Sequence, residues 1–97
     1  MDLETTFKRL HEALPDLRLR FAVSRLGIFG SVSRGEAGLD SDVDVLVEFE
    51  GPATLDGFMG LKAELEQLLG SRVDLATPRS LRPSLRTLIE RDLRFVA

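Results

Sequence analysis

Gly30-Ser31, ten intervening residues, then Asp42-Val43-Asp44 are the residues of this chain whose types and spacing suit chemistry. Gly30 permits close backbone approach, and Ser31 offers a hydroxyl and an amide to a phosphate oxygen. In a strand, residues two apart share a face with Cα atoms roughly 6.6 Å apart, so Asp42 and Asp44 project side by side. Carboxylates so spaced can converge on hard cations, and two Mg²⁺ ions in a catalytic pair sit about 3.5–4 Å apart. A phosphate tail carried with a divalent metal is the chemistry this stretch suits. Each part also has a purely structural reading. A Gly-Ser pair is an ordinary turn, and Asp42, Asp44, Glu48 and Glu50 fit the wet side of a one-sided strand.

Asp74, between Val73 and Leu75 in a second short apolar run, bears on the choice. It can face solvent, cap a local turn, or join Asp42 and Asp44. Three converging carboxylates repel one another, so such a cluster makes sense chiefly when a divalent cation neutralises it. Other familiar motifs fail. Gly30 and Gly35 have the spacing of a P-loop, but Glu36-Ala37 stands where Lys-Ser/Thr is required. The single histidine, His11, lies in the first helix and reads as a surface or interfacial side chain. The absence of cysteine excludes disulfides, thiolate metal sites and a thiol nucleophile.

The elements that position these residues follow from hydrophobic spacing. Leu3, Phe7, Leu10 and Leu14 predict a helix over 2–14, interrupted at Pro15-Asp16. Residues 17–23 alternate like a strand among helix formers and are read as a short helix. Arg25 to Phe29 reads as a buried strand ending at Gly30, and 30–41 as a Gly- and Ser-rich connection. Asp42 to Glu50 is the clearest strand, with Val43, Val45, Val47 and Phe49 on one face. That face aims the acids, because a one-residue slip would bury them. A helix over 54–69 stops at Gly70, a short strand spans 72–76, and Leu81, Leu85, Leu88 and Ile89 mark a last helix. Pro83 fits that helix only in its first turn. Leu93 to Val96 adds a final short strand. The expected fold is α/β (α+β): a small mixed sheet of three to four strands with helices packed against it.

Ninety-seven residues predict one domain, 1–97, small enough that a homo- or hetero-oligomer is a natural source of added stability. The N-terminus does not read as a signal peptide, and no apolar run approaches the roughly 20 residues that cross a bilayer. The expected setting is the soluble cytoplasm, with no membrane partner. The net charge of −3 is uneven: beyond residue 78, Arg79, Arg82, Arg86, Arg91 and Arg94 face only Glu90 and Asp92. The acidic remainder argues against general nucleic-acid binding. The basic segment reads as a solvated helix face, or as a surface for an acidic partner or nucleotide phosphates.

Phe29-Gly30-Ser31-Val32-Ser33-Arg34-Gly35, then Ser41-Asp42-Val43-Asp44-Val45-Leu46-Val47, and later Val73-Asp74-Leu75, resemble the minimal nucleotidyltransferase (MNT) family. That family belongs to the DNA polymerase β-like nucleotidyltransferase superfamily. Its signature of G-S, ten residues and D-x-D is matched without a gap. The resemblance runs from about residue 25 to the C-terminus. It implies the nucleotidyltransferase fold, with Asp42 and Asp44 binding a pair of Mg²⁺ ions and Asp74 as the third metal-site acid, helping to activate the attacking hydroxyl. Gly30 and Ser31 would grip a nucleoside triphosphate, with Ser41 as a helper, and Arg34 would neutralise phosphate charge or pair with a local acid. Short members resemble the antitoxin half of HEPN/MNT toxin–antitoxin pairs, which transfers AMP from ATP to a tyrosine of a helical HEPN toxin. The resemblance therefore implies a protein adenylyltransferase. Two alternatives stand beside it: a subunit of a two-chain enzyme modifying a small molecule, and an antitoxin acting by binding alone. The base preferred is not legible from six scattered phenylalanines.

Overall fold

In the computed structural model, which describes residues 2–38 and 41–96, the first helix is longer than its sequence predicts. α1 runs unbroken over Leu3–Phe21, with Asp2 as N-cap accepting from the Thr5 amide at 2.7 Å. Thr6, Leu10, Leu14 and Leu17 line its buried face. Pro15 does not interrupt it, and residues 17–21 are its last turns, not a separate helix. Pro15 is exposed, so the carbonyl left without a donor one turn earlier lies within reach of water. Leu14 and Leu17, both buried, hold the backbone helical on either side. Ala22 then turns the chain with φ 56°, which few residues other than glycine adopt.

Strand β1 (Val23–Phe29) is followed at once by a short helix, α2 (Gly30–Arg34), where the sequence suggests an open connection. Buried Val32 pins α2 to the core, and Gly35 closes it at φ 74°. Residues 39 and 40 of that connection lie outside the described residues. β2 covers Val43–Phe49, α3 Leu55–Leu69, β3 Val73–Ala76, α4 Pro83–Asp92 and β4 Arg94–Phe95, with a 3₁₀ turn at Pro78–Ser80. Thr54 caps α3 and Gly70 ends it, while Pro83 occupies the first turn of α4.

The sheet has the order β3-β2-β1-β4. β1 pairs antiparallel with both β2 and β4, whereas β2 and β3 run parallel, so the sheet is mixed. Leu26 and Ile28 of β1, Val43, Val45 and Val47 of β2, and Val73 and Leu75 of β3 form one apolar face. Leucines of α1 and α3 cover it, including Leu10, Leu14, Leu61 and Leu65, each essentially sealed from solvent. The opposite face carries Arg25 and Gly27 of β1, Asp44, Leu46 and Glu48 of β2, and Asp74 of β3, as the pairing register requires. α4 buries none of its own residues. Beneath it lies a groove of about 360 Å³ lined by Arg25, Leu46, Glu48, Ile89 and Phe95 among others. No helix among the described residues is long and apolar enough to cross a membrane.

Candidate active site

Asp44 stands where three elements meet. Its antiparallel partner across the sheet is Phe29, the last residue of β1, and its parallel partner is Asp74. Adjacent strands lie about 4.8 Å apart, so in-register Asp44 and Asp74 are side-by-side neighbours on one face. Asp42 precedes β2 by one residue and shares the alternation of Asp44; it is exposed and meets Arg72 at 3.4 Å. The end of α3 steadies this edge, because Glu66 accepts the amide of Val73 at 3.0 Å, the residue before Asp74. The Val43 amide donates to the Arg72 carbonyl at 2.9 Å, joining the entry to β2 with the entry to β3.

Gly30 brings the small-residue turn against these acids. Its φ is 72°, and a Cβ there would drive into the Asp44 carboxylate. Only glycine satisfies both conditions, so the backbone at the start of α2 lies directly beside Asp44. Ser31 follows, half-exposed at the same end of α2.

The electrostatics follow from this convergence. Burial, then the charges of Asp74 and Asp42, push the Asp44 carboxyl up to about 6, while Arg34 opposes the rise. A carboxylate held half-buried between two others costs free energy that a cation would relieve. The donors are all carboxylate oxygens, the chemistry that hard divalent cations prefer. The residues therefore fit Mg²⁺ by type and by charge. Among the described residues, however, no three potential ligands yet close on a single point as a metal site.

Arg34 and Ser41, the remaining expected site residues, are each engaged in polar contacts. Arg34 pairs with Glu36 (Nε to Oε2, 2.9 Å) and Asp92 (Nη1 to Oδ2, 2.6 Å). Before β2, the Ser41 hydroxyl accepts from the Gly38 amide at 2.9 Å. Asp92, Glu66 and Arg72 were not singled out from the sequence. Their partners, apart from Glu66 with Val73, lie far along the chain, and acids or arginines on exposed faces carry no local signal. A wider cleft of about 480 Å³ between Phe49, Pro52 and Pro78 lies at the far end of β2 and β3, where Glu48 is the one acid among the described residues that line it.

Comparison with known proteins agrees with this geometry. Residues 8–96 match the model of a nucleotidyltransferase domain. The protein adenylyltransferase MntA of Thermococcus cleftensis is 47% identical over 81 residues, covering 84% of this chain and 82% of its own. A solved structure provisionally assigned to a minimal nucleotidyltransferase is 47% identical, with a TM-score of 0.80 over 97% of this chain and 95% of that one. At 20% identity the fold alone is shared with a tri-AMPylated Shewanella oneidensis HEPN toxin in complex with its MNT antitoxin, with a TM-score of 0.70 over 98% of this chain and 71% of that one. The chain belongs to the nucleotidyltransferase domain family, and within it to the minimal nucleotidyltransferases.

Proposed function

We propose that this chain is a Mg²⁺-dependent protein adenylyltransferase that transfers AMP from ATP to a tyrosine hydroxyl of a helical HEPN-type toxin and so acts as its antitoxin. The observation that carries the reading is the contact of the Gly30 turn with Asp44, beside which Asp74 stands in register. A phosphate group held at Gly30 and Ser31 would lie against the carboxylates that need a cation. Two further supports come from the relative named for protein adenylyl transfer and from the AMPylated toxin held by a protein of this fold.

In this mechanism Gly30 and Ser31 would hold the triphosphate, and Asp42 and Asp44 would hold Mg²⁺. When bound, the metal would supply charge neutralisation to the phosphates. Asp74, exposed at the edge of the cluster, accepts the proton of the attacking hydroxyl. The oxygen–phosphorus bond to the acceptor forms at the α-phosphate, the bond to pyrophosphate breaks, and AMP remains on the acceptor. The chain's part is positioning and charge neutralisation.

The test mixes the protein, ATP and Mg²⁺ with a candidate HEPN-type toxin, such as the product of an adjacent gene, and weighs that neighbour by mass spectrometry. A gain of one or more AMP units, abolished in Asp42→Asn/Asp44→Asn, is the expected result. Full neutralisation of the neighbour by that double variant would replace the enzymatic reading with binding alone. Ser31→Ala should lower the rate by about 10²-fold while the fold persists, and unchanged kinetics would remove Ser31 from the site.

A further inference from the structure

α2 is five residues long, too short to hold its own shape, yet it carries Gly30 and Ser31. Val32 anchors it inward. Its next two side chains both reach one residue at the far end of the sequence. Ser33, buried, donates its hydroxyl to the main-chain oxygen of Asp92. Arg34 donates Nη1 to the Asp92 carboxylate at 2.6 Å, and its Nε goes to Glu36 at 2.9 Å.

Asp92 is the last residue of α4, where a carboxylate faces the negative end of the helix dipole. An acid there does nothing for α4 itself. The Arg34 guanidinium offsets that cost, and the Asp92 side chain is only 21% exposed, so the pair is partly shielded from water. The Arg34 guanidinium thus ties α2 to α4.

Resting on the nucleotide reading above, we propose that Asp92 is a positioning residue for nucleotide binding: through Arg34 it holds α2, and with it the Gly30-Ser31 turn, in place against Asp44. Without the Asp92 carboxylate, Arg34 loses its charged tie to α4, and the helix is held less firmly by Val32, Ser33 and its packing on the sheet. The turn then samples positions away from the acids, and a triphosphate must reorder it on binding.

Asp92→Asn keeps the size of the side chain and the main-chain acceptor for Ser33 while removing the charge. Calorimetric titration of ATP in excess Mg²⁺ compares wild type, Asp92→Asn, Arg34→Gln and the double variant, well below each melting temperature. Asp92→Asn should weaken ATP binding about tenfold, the effect of one lost charge-assisted contact. The double variant should bind no more weakly than Arg34→Gln alone, because Asp92 acts through Arg34. Unchanged affinity in Asp92→Asn overturns the proposal, even if that variant melts earlier, since it then has only a structural role. Additive losses overturn it too, because they separate Asp92 from Arg34. Failure of the wild type to bind ATP would sink the nucleotide reading and this proposal together. Wild-type binding that Asp42→Asn/Asp44→Asn weakens, with Asp92→Asn normal, sinks this proposal alone.

Discussion

Asp44 sits between Phe29 and Asp74 on the sheet and against the backbone of Gly30, so burial and two neighbouring carboxylates oppose its charge. Its carboxyl titrates at about 6 when folded, above its ordinary value of 3.8. Between those values the folded protein binds the proton more tightly than the unfolded chain, so this group makes the metal-free protein less stable as pH rises from about 4 to about 6. Asp44→Asn should therefore stabilise the metal-free protein at pH 7.5 by about 1 kcal/mol, discounted for partial exposure, while abolishing activity. Urea melts at pH 4 and 7.5 check this; a gain of equal size at both would exclude charge as the cause. Gly30 is bound to the same carboxylate by geometry. Gly30→Ala and Gly35→Ala both suffer a left-handed backbone, about 1–2 kcal/mol each, but only the methyl added at position 30 also meets Asp44. Gly30→Ala should be the more destabilising in denaturant melts, and equal losses would mean that Asp44 yields freely.

Among the elements, α1 shows how packing overrides a local signal. Pro15 reads as a stop, yet Leu14 and Leu17 are buried on one face and the helix continues to Phe21. Pro15→Ala restores a backbone donor in mid-helix and should raise stability by about 2 kcal/mol. A loss in the same melts would mean that proline's stiffening of the unfolded chain outweighs the missing hydrogen bond. The strand β2 needed no such help. Its alternation was legible because one side is apolar along its whole length, which sets both register and the aim of Asp44. α2 was not legible, since five residues carry no helical period and a Gly-Ser stretch reads as a loop. What makes it a helix is the burial of Val32 and the bonds to Asp92, both tertiary.

At the scale of the whole molecule, the parallel pairing of β2 with β3 brings Asp74 beside Asp44, and α4 returns the C-terminal segment to α2. On the proposed function, metal and nucleotide bind only when all these parts are assembled, so they should stabilise the fold by mass action. ATP with Mg²⁺ at about 100 times its dissociation constant should add about 2.7 kcal/mol, raising the melting temperature by roughly 10–20 °C for a domain of this size. Scanning fluorimetry checks this, and Asp42→Asn/Asp44→Asn should lose most of the shift. A wild-type shift that survives in that variant would place the nucleotide elsewhere.

The sequence by itself determined the parts that depend on neighbours a few residues apart: the alternating strand that carries Asp44, the break after β1 at Gly30, the capped helix α3 and the spacing that marks the family. Periodicity and turn chemistry are local, so they are written along the chain. The tertiary structure alone decided that Asp74 lies in register beside Asp44, that Gly30 abuts Asp44, and that Arg34 is tied to Asp92, 58 residues away. Each of these is a contact between segments brought together by burial of the apolar sheet face. No spacing within a segment specifies which distant residue it will meet.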